Sequence, residues 1–143
     1  MDQACIFCRI VAGAAPASFV HQDELVAAFM DTRPVNRGHT LVIPKAHAAG
    51  IADLPPETGA RIFTVAMRLS AAVREATGCH GVNLHVADGE AAGQEVAHFH
   101  LHVIPRFRGD RFGVGLRGRL PSRPKREELD AVAVAIRGAL GVV

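Results

Sequence analysis

The chain contains no tryptophan and no tyrosine, and only three cysteines. An odd cysteine count fits a reducing compartment better than a disulfide framework, so a cytoplasmic protein is expected. No segment is long and apolar enough to span a bilayer, so no membrane partner is expected. The start, Met1-Asp2-Gln3-Ala4-Cys5, lacks a basic n-region and a long apolar h-region, which argues against a signal peptide. No internal repeat or low-complexity linker interrupts the 143 residues, which suit a single domain with one core. Net charge is only +2, so no strong overall field is expected. Basic residues do gather near the end, at Arg106, Arg108, Arg111, Arg117, Arg119, Arg123, Lys125 and Arg126. A solvated surface accounts for that run better than a nucleic-acid patch does. The rest is ordinary for a globular domain: 49% apolar and 21% charged residues exclude global disorder.

Ile6 to Ala12 reads as a short helix closed by Gly13. Phe19 to His21 and Leu25 to Met30 read as strands joined by the polar turn Gln22-Asp23-Glu24. Arg33 to Gly38 is a loop by its Pro, Asn and Gly content, and Thr40 to Ile43 is a buried strand ended by Pro44. The clearest helix runs from about Pro55 to Ala76, with Asp53 as N-cap and two prolines in the first turn. Ile62, Val65, Ala66, Leu69, Ala72, Val73 and Ala76 give it one apolar face, and Gly78 ends it. Val82 to Val86 is a strand, Ala87 to Gln94 a Gly-rich loop, and His98 to Ile104 a further strand. A last helix, about Arg126 to Leu140, turns Leu129, Val132, Ile136 and Leu140 inward. Regular strand–helix alternation is missing, so the fold class is α+β with a mainly antiparallel sheet.

His98-Phe99-His100-Leu101-His102-Val103-Ile104 carries the strongest chemical signal. Side chains alternate across a strand, so the three histidines share one face, roughly 7 Å apart along it. Phe99, Leu101 and Val103 point the other way, into a core. Three imidazoles in register after a Gly-rich loop mark a site rather than packing. The sharper rival is a metal held by the His-x-His pair, since histidine is the commonest metal ligand.

Gly93-Gln94-Glu95-Val96-Ala97-His98-Phe99-His100-Leu101-His102-Val103-Ile104-Pro105-Arg106 resembles the signature of the histidine triad (HIT) family. The resemblance extends through Asp88 to Ala92, Asp31 to His47, and Cys5-Ile6-Phe7-Cys8-Arg9-Ile10 with Pro16. It runs in order up to Phe112 and is loose in the tail. It implies a HIT-like fold with one long helix and shorter terminal helices, the C-terminal one (about 124–141) as an extension. It also implies a homodimer and a nucleotide substrate, with adenine as the base.

The resemblance makes His100 the nucleophile toward the α-phosphorus, which a neutral imidazole suits. It gives His102 the stabilisation of phosphate charge, His39 positioning, and Gln94 contact with the phosphate chain. Gly89 and Gly93 would let backbone N–H groups approach phosphate. Asp31 matches the ribose-binding carboxylate; an Asx turn before Pro34 is the plain alternative. Ile6, Phe7, Ile10 and Phe29 map to the apolar base pocket, and Asn83 lies on a neighbouring strand, with His85, where it could approach ligand. Two positions depart from the pattern. Ala87 stands where relatives often carry an amide, and Glu95 where several carry Ser or Thr, so the leaving group stays open.

Cys5-x-x-Cys8 has zinc-knuckle spacing, a weak signal by itself. In the family branch with this pair, Cys5, Cys8, His47 and His98 hold structural zinc. That arrangement ties His98 to metal and leaves His100 and His102 for chemistry. The implied activity is hydrolysis of nucleoside phosphoramidates or dinucleoside polyphosphates, releasing a nucleoside monophosphate. Alternatives are a zinc-stabilised nucleotide sensor with little turnover, and removal of a nucleotide from a nucleic-acid 5′ end. A transferase is disfavoured, because that branch places proline after the middle histidine and Leu101 follows here.

Overall fold

The computed structural model describes residues 3–110 and 122–141. In chain order it comprises α1 (Ile6–Val11), β1 (Phe19–Gln22), β2 (Val26–Met30), β3 (Thr40–Pro44) and α2 (Pro56–Thr77). β4 (Gly81–Val86), β5 (Leu101–Arg106) and α3 (Arg126–Leu140) follow. Single 3-10 turns lie at Ile51–Asp53 and Glu90–Ala92. The five strands form one sheet in the order β1-β2-β3-β5-β4, with every neighbouring pair antiparallel. The chain is therefore α+β, as its pattern predicts.

Period-two alternation divides the sheet into two chemical faces. Val26, Ala28, Met30, Val42, Leu101 and Val103 pack with the inner faces of α2 and α3 in the main core. Ala27, Phe29, Leu41 and Ile43 point the opposite way and pack with Cys5, Phe7, Cys8 and Ile10 of the α1 segment. The register pairs Leu41 with His102 and His102 with His85. The histidines of β5 therefore open on the α1 side, over a rigid two-layer support.

On α2, Ile62, Val65, Ala66, Leu69, Ala72 and Val73 are buried, and Ala76 is half-buried against the same core. The helix stops at Gly78, whose φ of +71° suits a residue without a Cβ and whose N–H reaches Arg74 O at 2.9 Å. Its start corrects the sequence expectation. Asp53 is not the N-cap; it sits in the 3-10 turn and accepts from Gly50 N–H at 2.9 Å. Pro55 takes the cap position and Pro56 opens the helix. Proline fixes φ and leaves no N–H to satisfy at the first helical position, and no side chain caps this start.

The second correction concerns the histidine strand. The hydrogen-bonded ladder starts at Leu101 rather than His98, and runs to Arg106. The β3 pairing ends at Val42↔Leu101. Upstream, Phe99 N–H reaches Ala48 O at 2.7 Å, and the imidazole of His98 takes Pro44 O. Alternation survives without the ladder: Phe99 joins the main core, and His98 turns toward α1.

Candidate active site

Backbone carbonyls hold two of the triad imidazoles and a neighbouring histidine holds the third, which fixes their proton positions. His100 Nδ1 lies 2.8 Å from His98 O. A carbonyl only accepts, so Nδ1 carries the proton and the lone pair sits on Nε2. His98 is turned the other way: its Nε2–H donates to Pro44 O at 2.8 Å, which leaves the Nδ1 lone pair facing the cysteines. Val35 N–H donates to His39 Nδ1 at 3.0 Å. The His39 proton therefore sits on Nε2, 2.9 Å from His102 Nδ1. His102 then accepts on Nδ1 and carries its own proton on Nε2. Three adjacent histidines thus hold defined tautomers, each set by the hydrogen bond at its other nitrogen.

His100 and His102 line a cleft of about 360 Å³. Their ring centroids lie 4.9 Å apart in an edge-to-face arrangement with 63° between the ring planes. Phe7 packs edge-on against both His98 and His100, at 5.7 and 5.2 Å, and against Phe29 at 5.5 Å. Ile6, Phe7, Ile10 and Phe29 all line the cleft, so the expected apolar pocket does adjoin the expected nucleophile. Asp31 lines it too, 7% exposed. Its Oδ1 accepts from Arg33 N–H at 2.7 Å, the Asx-turn bond, while Oδ2 lies 3.4 Å from His39 Nε2. The Asx turn is thus formed by Oδ1, and Oδ2 meets the His39 ring.

Four of the catalytic or nucleotide-binding candidates do not line the cleft: His39, which is fully buried against His102, and Gln94, Gly93 and Asn83. The amide of Gln94 braces loops: Oε1 accepts from Gly89 N–H at 2.7 Å, and Nε2 donates to Ala49 O at 2.7 Å and Val96 O at 2.9 Å. Gly93 closes the 3-10 turn at φ +92°, a conformation glycine accepts without strain. Asn83 Oδ1 accepts from Arg106 Nη1 at 2.6 Å on the outermost strand. His85 comes within 5.6 Å of the His102 ring. In the other direction, Thr32, Arg33, Glu95, Val96 and Arg126 line the cleft. Of these the sequence reading had singled out Glu95 for its chemistry and placed Arg126 only in the basic tail. Arg111, Arg117 and Arg119 of that run lie outside the described residues, and Arg106 is spent on Asp110 and Asn83.

Cys5, Cys8, His47 and His98 bring four ligand atoms within 4.8 Å of one another. Cys8 Sγ lies 3.3 Å from His47 Nδ1 and 3.6 Å from His98 Nδ1, and Cys5 Sγ lies 3.4 Å from His98 Nδ1. A tetrahedral dication with zinc-like bond lengths separates sulfur and nitrogen ligands by about 3.5 Å, so the donor set and its spacing fit. Burial, with smaller contributions from His47 and His100, holds the His98 imidazole below its usual value, in the neutral form a metal needs. Burial pushes the Cys5 thiol up, which a coordinated dication would reverse.

The comparisons with known proteins agree with this geometry. A family model described as HIT domain matches residues 12–109. The chain is 41% identical over 123 residues to an uncharacterized HIT-like protein of Mycobacterium tuberculosis (strain ATCC 25618 / H37Rv), covering 86% of this chain and 85% of that one. It is 38% identical over 110 residues to adenylylsulfatase HINT3 of Arabidopsis thaliana, covering 77% of this chain and 56% of that protein. The crystal structure of a Zn-bound histidine triad family protein from Mycobacterium smegmatis matches with a TM-score of 0.82 at 42% identity, over 96% of this chain and 93% of that one. Fold, histidine pattern and sequence relatives agree, and the chain belongs to the histidine triad family.

Proposed function

We propose that the chain is a nucleotide hydrolase that cleaves a phosphoramide or phosphoanhydride bond through a nucleotidyl-His100 intermediate. The observation that carries this reading is the His100 tautomer. Its Nδ1–H is committed to His98 O, so the nucleophilic lone pair is on Nε2 of a residue that lines the cleft. Attack on the α-phosphorus forms an N–P bond and expels the leaving group. Water then breaks that bond and releases a nucleoside monophosphate. His102 Nε2–H donates to a phosphoryl oxygen as charge develops there. Asp31 Oδ2 receives a ribose hydroxyl, and Ile6, Ile10 and Phe29 enclose the base. Gln94 acts by holding the loop that carries Glu95 and Val96.

Structural zinc at Cys5, Cys8, His47 and His98 belongs to the same proposal, pinning α1 beside the triad. So does a homodimer: β4 ends the sheet among the described residues, and Leu84, Phe63 and Met67 are exposed apolar side chains on β4 and α2. Among the described residues no helix is long and apolar enough to cross a membrane. None of the three cysteines forms a disulfide, in keeping with a cytoplasmic setting.

The test is release of nucleoside monophosphate from adenosine phosphoramidate, diadenosine polyphosphates and adenylyl sulfate. The last is included because of the Arabidopsis relative's name. Release that depends on His100 supports the reading, and the ranking identifies the leaving group. Binding of nucleotide with no release from any of the three would replace it with a sensor.

A further inference from the structure

The cleft has one charged wall residue contributed by α3, which lies beyond the residues matched to the HIT domain. Arg126 opens that helix and is partly buried. Its Nη1 donates to Ser18 Oγ at 2.9 Å, and the same hydroxyl donates to Asp130 Oδ1 at 2.6 Å. Ser18 is itself 3% exposed, and its carbonyl takes the N–H of Met30 at 3.0 Å. The guanidinium is planar and rigid, so anchoring Nη1 fixes the plane of the whole fork.

The anchor also fixes which end of a nucleotide Arg126 can meet. Ser18 immediately precedes β1, and the histidines lie on β5; β2 and β3 separate the two. Three strand spacings put the anchor roughly 14 Å across the sheet from the triad. That is too far for the α-phosphate. It suits the base end of the proposed nucleotide: Phe29 of the apolar base pocket precedes Met30, and the cleft-lining Ala15 and Ala17 lie just ahead of Ser18 in the chain.

We infer that Arg126 is a base-specificity residue, donating hydrogen bonds to the edge of a 6-oxopurine. An arginine offers donors only. The 6-substituent is an acceptor oxygen in guanine and hypoxanthine and a donor amine in adenine, and guanine's O6/N7 pair is the preferred arginine partner among base edges. This inference rests on the nucleotide reading of the cleft but opposes the adenine preference that the family resemblance implies. It assigns α3 a part in substrate choice as well as in packing.

Binding of GMP, IMP and AMP to the zinc-loaded full chain, by titration calorimetry, tests it. GMP and IMP should bind about tenfold tighter than AMP, the worth of one charge-assisted hydrogen bond. Arg126→Met should weaken GMP and IMP to within about twofold of AMP while AMP itself changes little. Equal wild-type affinities would overturn the inference alone. So would a GMP preference that IMP does not share, which would assign the choice to the 2-amino group. Wild-type selectivity is read without any variant, so a poorly folding substitution leaves the question answerable. If none of the three nucleotides binds, the hydrolase reading falls along with it.

Discussion

His39 Nε2 and His102 Nδ1 lie 2.9 Å apart, and both rings are buried. The bond transmits a backbone constraint to the reacting end. Val35 N–H fixes His39, and His39 in turn fixes His102 with its proton on Nε2. Removing His39 frees His102 to take the other tautomer, with a lone pair where phosphate oxygen should find a donor. His39→Ala should lower kcat by about 10²-fold, with KM changed far less. Steady-state kinetics on the preferred substrate checks this. A change confined to KM would mean that His39 binds ground state rather than orienting His102.

His100→Ala removes the proposed nucleophile but little of the pocket. Ile6, Ile10, Phe29 and Asp31 remain, so product nucleotide should still bind within about threefold of wild type. Turnover should fall by about 10⁴-fold or more. Rapid quench of the wild type should also trap nucleotide on protein, and the variant should trap none. Turnover retained by the variant would remove His100 from the chemical step.

The histidine face was legible in the sequence because period-two alternation depends on extended backbone and not on pairing. It therefore survives at His98 to His100, ahead of the β5 ladder. The main core was legible for a similar reason, since the α2 face repeats at helical spacing. Two kinds of feature were not. Long-range polar partnerships such as Ser18 with Arg126 and Asp130 join residues more than a hundred positions apart, and no local pattern encodes them. The direction of a flexible amide is equally silent. The resemblance implies a phosphate contact for Gln94, and no local pattern encodes the bonds its amide makes with Gly89, Ala49 and Val96. Asp53 was a fair N-cap by composition, but the Pro55-Pro56 pair took the helix start from it.

Cysteine substitution should separate structure from chemistry at the metal cluster. Cys5→Ser with Cys8→Ser removes both thiolates and leaves two imidazoles, too few for a closed tetrahedral site. Zinc content should fall from about one ion per chain to none, and Tm by about 10 °C. kcat should drop by less than about tenfold, since His100 keeps its bond to His98 O. Metal analysis of the purified wild type decides first: a metal-free, fully stable protein would refute structural zinc.

Asp23 links the β1–β2 turn to α2. Its carboxylate accepts from Leu25 and Val26 N–H at 2.9 Å each, from His21 Nε2 at 2.7 Å and from Arg61 Nε at 2.8 Å. Burial opposes ionisation here, but these bonds outweigh it and hold the carboxyl well below its ordinary 3.8. The folded state therefore binds the proton less readily than the unfolded one. The resulting stability is complete above about pH 4 and is lost as pH falls through the lower folded value. Asp23→Asn should destabilise by about 1–3 kcal/mol at pH 7. The gap from wild type should narrow at pH 3. Urea midpoints of both proteins at the two pH values give the answer, and a gap independent of pH would place the effect in the turn rather than in the charge.

The proposed ribose contact of Asp31 and its turn bond use one carboxylate, and substitution can split them. Oδ1 shapes the loop by accepting from Arg33 N–H, while Oδ2 lies 3.4 Å from His39 Nε2. Asparagine keeps an oxygen for the turn but cannot offer a charged acceptor to a ribose hydroxyl. Alanine keeps neither. Asp31→Asn should therefore lose about tenfold in ribonucleotide affinity with little change in Tm, whereas Asp31→Ala should lose stability as well. Both variants should bind 2′-deoxy nucleotides nearly as well as ribonucleotides, because the group that told them apart is gone. Paired titrations with a nucleoside monophosphate and its 2′-deoxy analogue read this directly. If the wild type itself binds the two equally, the carboxylate serves the loop and the histidine pair, and ribose is held elsewhere.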